Sequence, residues 1–193
     1  MIEGDEKMSW TIGEEAPNIV NAVIEVPKNS NIKYEVDKKT GTISVSRFLY
    51  TAMAYPFNYG FIPETVENDN DPIDVMVINE EQILPGCIIK VRPIGMLITE
   101  DENGKDNKII AVPIDKIDPT YEKIKDIRDL DDHIKRRIAH FFETYKELEP
   151  KKWVKVKGFK GKAEAIARIK YCMKKYSKEE KRKLKNARND CRK

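Results

Sequence analysis

Cysteine and histidine are scarce in this chain of 193 residues, and each shortage removes a class of function. The three cysteines, Cys87, Cys172 and Cys191, are odd in number, widely spaced and free of any C-x-x-C pair, which excludes a disulfide framework and a zinc ribbon and leaves reduced thiols. The two histidines, His133 and His140, stand seven apart and lack the i, i+4 spacing of a helical zinc pair, so both read as ordinary helix residues. Long apolar runs are missing too. Stretches such as KIIAVPI fall far short of a membrane span, and MIEGDEKMSW at the start holds no apolar signal core, so a cytoplasmic location and no membrane partner are expected. Bulk charge excludes little, because 36 basic residues nearly balance 33 acidic ones for a net +3.

What is present is polarised. Acidic clusters lie in the first two thirds, whereas basic residues dominate KYCMKKYSKEEKRKLKNARNDCRK from Lys170 onward. From about Asn18 to Val112, short β-branched runs alternate with turn chemistry: NAVIEVP, IKYEVD and GTISVSRF, then GCIIKVRPIGMLITE and NKIIAVPI around DENGKD. This pattern predicts an all-β barrel core, with Asn103-Gly104 as a two-residue hairpin turn that would set Asp101 opposite Asp106. After Asp118 the period becomes helical. LDDHIKRRIAHFFETYKEL places Ile134, Ile138, Phe141, Phe142 and Tyr145 on one face, and a second helix is expected from about Lys162, its last ten to fifteen residues frayed or partnered. The fold class is therefore mainly β or α+β. One domain is expected over 14–176, preceded by a flexible extension over 1–13 and followed by a basic tail, helical or frayed, over 177–193.

The chemistry concentrates in ENDNDPIDVMVI, where Asp69, Asp71 and Asp74 crowd six positions ahead of an apolar strand. Carboxylates about 4 Å apart repel by roughly 4 kcal/mol at an effective dielectric near 20, so something positive must hold them. An EF-hand is excluded: Ile73 stands where its fifth position needs an oxygen donor, and Asp74 where the sixth needs glycine. Elsewhere acid and base interleave on single strand faces, Lys33 beside Glu35 and Asp106 beside Lys108, which points to a ligand carrying both signs. An oxygen-loving dication such as Mg²⁺ together with phosphate meets that description. The competing reading is an OB-type nucleic-acid-binding module using its basic faces and tail, but a groove for a phosphate backbone should be consistently positive, and these faces carry Asp69, Asp71, Asp101 and Asp106.

At these residues the sequence resembles the soluble inorganic pyrophosphatases of family I. DNDPIDV (Asp69 to Val75) matches the family's Asp-x-Asp-Pro-x-Asp signature, and VIEVP, IKYEVD, RFLYTAMAYPFNYGFIP, DENGKDNKIIAVP and HFFETYKELE follow its order from about Asn18 to Gly158. The resemblance implies an OB-like five-stranded barrel with flanking C-terminal helices. It implies hydrolysis of pyrophosphate to two orthophosphates by a metal-activated water, with several Mg²⁺ ions per site, Mn²⁺ or other divalent cations being possible substitutes. Asp71 matches the general base; Asp69, Asp74, Asp101 and Asp106, with Glu25 and Glu35, match the metal ligands. Lys33, Arg47, Tyr59, Lys108, Tyr145 and Lys146 match the phosphate-binding positions, and Tyr55 lies behind them. A homo-oligomer is implied, a hexamer in preference to a dimer, with pyrophosphate and phosphate as ligands and no nucleic acid.

Overall fold

The β-branched runs form strands that pair into a closed ring, and the ring's register decides which charged residues meet. In the computed structural model, which describes residues 10–38 and 40–190, the strands are β1 (Val20–Val26), β2 (Ile32–Val36), β3 (Ile43–Phe48), β4 (Asn58–Phe61), β5 (Asp74–Val77), β6 (Ile88–Asp101), β7 (Gly104–Lys105), β8 (Lys108–Pro113) and β9 (Val154–Gly161), with helices α1 (Asp132–Thr144) and α2 (Lys162–Asp190). The order β1-β4-β5-β8-β6 closes on itself through β1–β6 pairing, a five-stranded barrel in which β5–β8 is parallel and the other pairs antiparallel. This is the expected OB-like ring with two helices. The ribbon β2–β3 stands apart, and β7 and β9 extend the long strand β6.

Strand parity sorts the apolar side chains into two layers. Val75, Val77, Ile109 and Ala111 pack with Ala165, Ile169 and Cys172 of α2, whereas Met76, Ile110 and Val112 pack with Ile138, Phe141 and Phe142 of α1. Asp131 starts α1 by accepting the His133 N–H at 2.7 Å, so the helix opens where the sequence places it. Close packing fixes one glycine: a Cβ on Gly60 would lie 1.9 Å from the Val23 carbonyl oxygen, so β4 can approach β1 only without a side chain there. Two strands were not anticipated. NYGF of β4 lacks alternation because it is buried on both sides, and VKVKGFKG of β9 does alternate, Val154 and Val156 against Lys155 and Lys157, a signal hidden among charged residues.

The hairpin register differs from expectation. Asp101 pairs with Gly104 and Glu100 with Lys105, so the corner is Glu102-Asn103 and Asp106 instead bonds back to the Thr99 carbonyl at 3.0 Å. The physical reason is an Asx turn: Asp101 Oδ1 accepts the Asn103 N–H at 2.8 Å, and Gly104, at φ +116°, takes the left-handed position one residue later than the sequence suggested. Asp101 and Asp106 are therefore not opposed across the hairpin. At the other end of the chain, α2 continues unbroken to Asp190 through a run of good helix formers and a Lys183–Glu180 pair at 2.9 Å. Trp10 and Ile12, within the stretch read as an extension, pack on the barrel: the Trp10 ring meets Phe61 edge-on at 5.9 Å, and the Ile12 N–H donates to Glu64 at 3.0 Å. Residues 1–9 lie outside the described residues.

Candidate active site

Parallel pairing of β5 with β8 sets Asp74 directly beside Lys108, and Tyr59, opposite Met76 on β4, is the diagonal neighbour of Asp74. The three side chains meet. Lys108 Nζ lies 2.6 Å from Asp74 Oδ2 and also bonds Asp106 Oδ1, while the Tyr59 hydroxyl donates to Asp74 Oδ2 at 2.5 Å. The Lys108 side chain is only 4% exposed, against 30% for Asp74 and 25% for Asp106, so the ammonium is the buried centre of the group.

Burial opposes charge on all three, and the pairing overcomes it for Asp74 and Lys108 but not for Asp106. Desolvation works against the Asp74 carboxylate, yet Lys108 and the Tyr59 hydroxyl bring it below the ordinary range. For Asp106 burial prevails, reinforced by Asp74 and Asp101, and its carboxyl titrates above the ordinary range. Lys108 itself is held above its usual value, because two carboxylates outweigh its desolvation. Burial likewise raises the phenols of Tyr55, Tyr59 and Tyr145, so all three stay neutral.

The surrounding candidates also come as pairs of opposite sign. Lys33 bonds Glu35 at 2.9 Å along β2, and Ser46 donates to the same carboxylate across the ribbon. Lys146 meets Asp101 at 3.1 Å, both nearly buried, and Lys38 meets the exposed Asp71 at 2.6 Å. Arg47 Nε stands 3.1 Å from Glu149 Oε1, but neither atom has an aligned hydrogen bond, which leaves donor capacity for another oxygen ligand. Tyr55 stacks among Tyr59, Phe141 and Tyr145, with ring centroids 5.4, 4.7 and 6.3 Å away, and so fixes the two phenols that face the carboxylates. Lys38 and Glu149 escaped the sequence reading. Lys38 directly follows IKYEVD and Glu149 closes HFFETYKELE, but the spacing of neither gives it a role.

Asp69 and Asp71 sit on a loop that α2 supports from below. Glu67, nearly buried, receives both Arg168 Nε (2.6 Å) and Arg168 Nη2, while Lys175 donates to its carbonyl and the Val66 N–H reaches the Cys172 carbonyl at 3.2 Å. Within the loop Asp69 Oδ1 accepts the Asp71 N–H at 3.0 Å. Asp69, Asp101 and Asp106, with Asn68, Asn103 and Lys105, line a cavity of about 110 Å³. Among the described residues no three acidic, histidine or cysteine side chains already stand close enough to grip one ion. The donors facing this cavity are nevertheless almost all hard oxygens, the set that suits Mg²⁺ and not a softer metal.

Glu25 stands nearby on β1, its Oε1 accepting the Val36 N–H at 3.0 Å. Burial pushes its carboxyl up from 4.5 to about 7, more than that hydrogen bond can offset. The folded protein therefore keeps a proton that the unfolded chain has lost, and rising pH removes stability between about 4.5 and 7. In chelator-treated protein, Glu25→Gln is expected to flatten the decline of Tm with pH across that window. A Gln variant with an unchanged Tm profile would contradict the assignment.

Comparison with known proteins identifies the family of the chain. Residues 22–177 match the inorganic pyrophosphatase family. The chain is 54% identical over 170 residues to the inorganic pyrophosphatase of Sulfolobus acidocaldarius, covering 88% of this chain and 98% of that one, and 59% identical over 160 residues to that of Nanoarchaeum equitans, covering 83% and 99%. Among solved structures, the Helicobacter pylori inorganic pyrophosphatase superposes with a TM-score of 0.85 at 49% identity, covering 87% of this chain and 98% of that one. The Thermus thermophilus inorganic pyrophosphatase superposes with a TM-score of 0.84 at 43% identity, covering 88% and 97%. Matches of this extent define the class as hydrolases of a phosphoanhydride. The chain belongs to family I of the soluble inorganic pyrophosphatases, and its reaction is the hydrolysis of inorganic pyrophosphate.

Proposed function

We propose that this chain hydrolyses pyrophosphate with Asp71 as general base, and that the paired charges of the rim exchange partners when substrate arrives. The observation that carries the reading is the pairing itself. Lys33, Lys108 and Lys146 each face a carboxylate that suits a divalent cation, so cations binding to the acids would release the bases toward phosphate. Asp69, Asp74, Asp101 and Asp106, with Glu25 and Glu35, would hold Mg²⁺, several ions per site. When bound, these ions supply positive charge against the substrate and make water more acidic.

The chain's own groups do the remaining work. Arg47 offers a planar fork to one phosphate, Lys33, Lys108 and Lys146 act as point charges, and the Tyr59 and Tyr145 hydroxyls donate without adding charge. Asp71, mobile enough at its exposed position to leave Lys38, accepts a proton from the attacking water. The water oxygen bonds one phosphorus as the bridging P–O bond breaks, and its electron pair leaves with the second phosphate. Because phosphoryl transfer has a loose transition state, positioning and charge neutralisation account for most of the acceleration.

A phosphate-release assay with pyrophosphate, with and without Mg²⁺, tests the reading. Turnover that requires the cation is expected; metal-independent turnover would remove the cations from the mechanism, and absent turnover would favour a binding module. We also infer a cytoplasmic homo-oligomer, a hexamer in preference to a dimer. Ile43, Val45 and Phe48 of the ribbon are exposed, as are Leu84 and Ile88, the kind of apolar surface that a second copy covers. Light scattering that returns a monomeric mass would refute this.

A further inference from the structure

We propose that the outer face of α2 is a docking surface for duplex DNA, bound through its phosphates without regard to sequence. The continuous register of α2 makes the surface visible. At roughly 100° per residue, Lys170, Lys174, Lys178 and Lys181 recur at intervals of three and four and fall within an arc of roughly 80°. Arg182 flanks the arc, and Glu179 and Glu180 fall outside it. Lys170, Lys174, Lys178, Lys181 and Arg182 are exposed, and among the described residues none of them takes part in an ion pair. This sets them apart from the rim lysines, each of which faces a carboxylate.

The opposite face is already used. Ala165, Ile169 and Cys172 are buried against the barrel, and beyond Tyr176 no described side chain of the helix is buried. From Ser177 to Asp190 the only apolar residues are Leu184 and Ala187, too little to anchor in a lipid surface, which needs an apolar face opposite the charges. A row of cations about 17 Å long on one face of a continuous helix fits a straight polyanion. The major groove of B-form DNA admits an α-helix between two phosphate ridges, whereas the deep, narrow groove of A-form RNA does not. The barrel's acidic rim gave reason to exclude nucleic acid, and that exclusion holds for the rim alone. The proposal does not depend on the hydrolase mechanism, since binding is read without pyrophosphate.

The test is fluorescence anisotropy of the full chain with a labelled duplex DNA across a range of salt. Expected is binding whose log–log slope against salt is about −4 to −6, matching five or so neutralised phosphates. The Lys174→Glu, Lys178→Glu, Lys181→Glu triple variant should lose at least roughly 30-fold in affinity, while Lys116→Glu, Lys123→Glu, Lys155→Glu, of equal charge and elsewhere on the surface, loses far less. Should charge reversal impair folding, the same three positions changed to Gln give the smaller loss expected of neutralisation. Equal losses in the two triple variants, no DNA binding at low salt, or preferential binding to duplex RNA, single strands or anionic phospholipid vesicles would each overturn the proposal.

Discussion

Asp71→Asn lowers kcat by about 10²- to 10⁴-fold, the usual contribution of a positioned general base, and leaves KM nearly unchanged. Asparagine has almost the same shape but cannot accept the proton that water must lose. The effect stays local because the loop does not depend on the Asp71 carboxylate. Its conformation rests on the Asp71 N–H donating to Asp69, on its carbonyl accepting the Glu67 N–H at 2.7 Å, and on the Arg168 clamp beneath Glu67. The carboxylate itself is 70% exposed and bonded only to Lys38, so its loss changes stability little. Steady-state kinetics with a parallel thermal melt distinguish the possibilities. A kcat within about tenfold of the parent would remove Asp71 from the role of base, and a large fall in Tm would make it structural.

Lys108→Met has the largest expected effect on the fold. It strips the shared partner from two carboxylates that are largely shielded from water, and breaking a buried pair on one side costs about 3–5 kcal/mol. For a chain of this size, each kcal/mol moves Tm by roughly 2–4 °C, so a fall of about 6–20 °C is expected in chelator-treated protein. Methionine fills the same volume, so charge and not packing is tested. The variant should regain part of that Tm with Mg²⁺, because a cation at Asp74 and Asp106 replaces the missing positive charge. An unchanged Tm in chelator would show that Lys108 does not hold the two acids together, and a drop that Mg²⁺ fails to reduce would argue against a cation between them.

Much of the rim was legible as residue types. Asp69, Asp71 and Asp74 announce themselves by crowding, because like charges so near each other need a compensating ion, and Lys33 with Glu35 declares itself through strand parity. What parity could not supply was partnership. The spacing places Asp101 directly opposite Asp106, but an Asx turn moves the corner by one residue and the pairing by two, so Asp106 lies opposite Thr99 and becomes a diagonal neighbour of Asp101 on the same face. Arg47 finds Glu149, and Lys146 finds Asp101, across 102 and 45 residues of chain, distances over which no local pattern extends. Helix α1 was readable from its period and its Asp131 cap, whereas β4 was hidden because burial on both faces leaves no alternation to read.

The amino-acid order alone determined the strand-rich first half, the helical second half, the oxygen-only chemistry and the basic character of the C-terminal segment, since each follows from side-chain type and short-range spacing. Closure of the ring determined the rest. Only when β5 lies parallel to β8 does Asp74 come to rest beside Lys108, and only when α2 packs on the barrel does Arg168 reach Glu67 and one face of that helix remain free. Those contacts join residues far apart in sequence, and their energies depend on burial, a property of the folded chain that no local stretch carries.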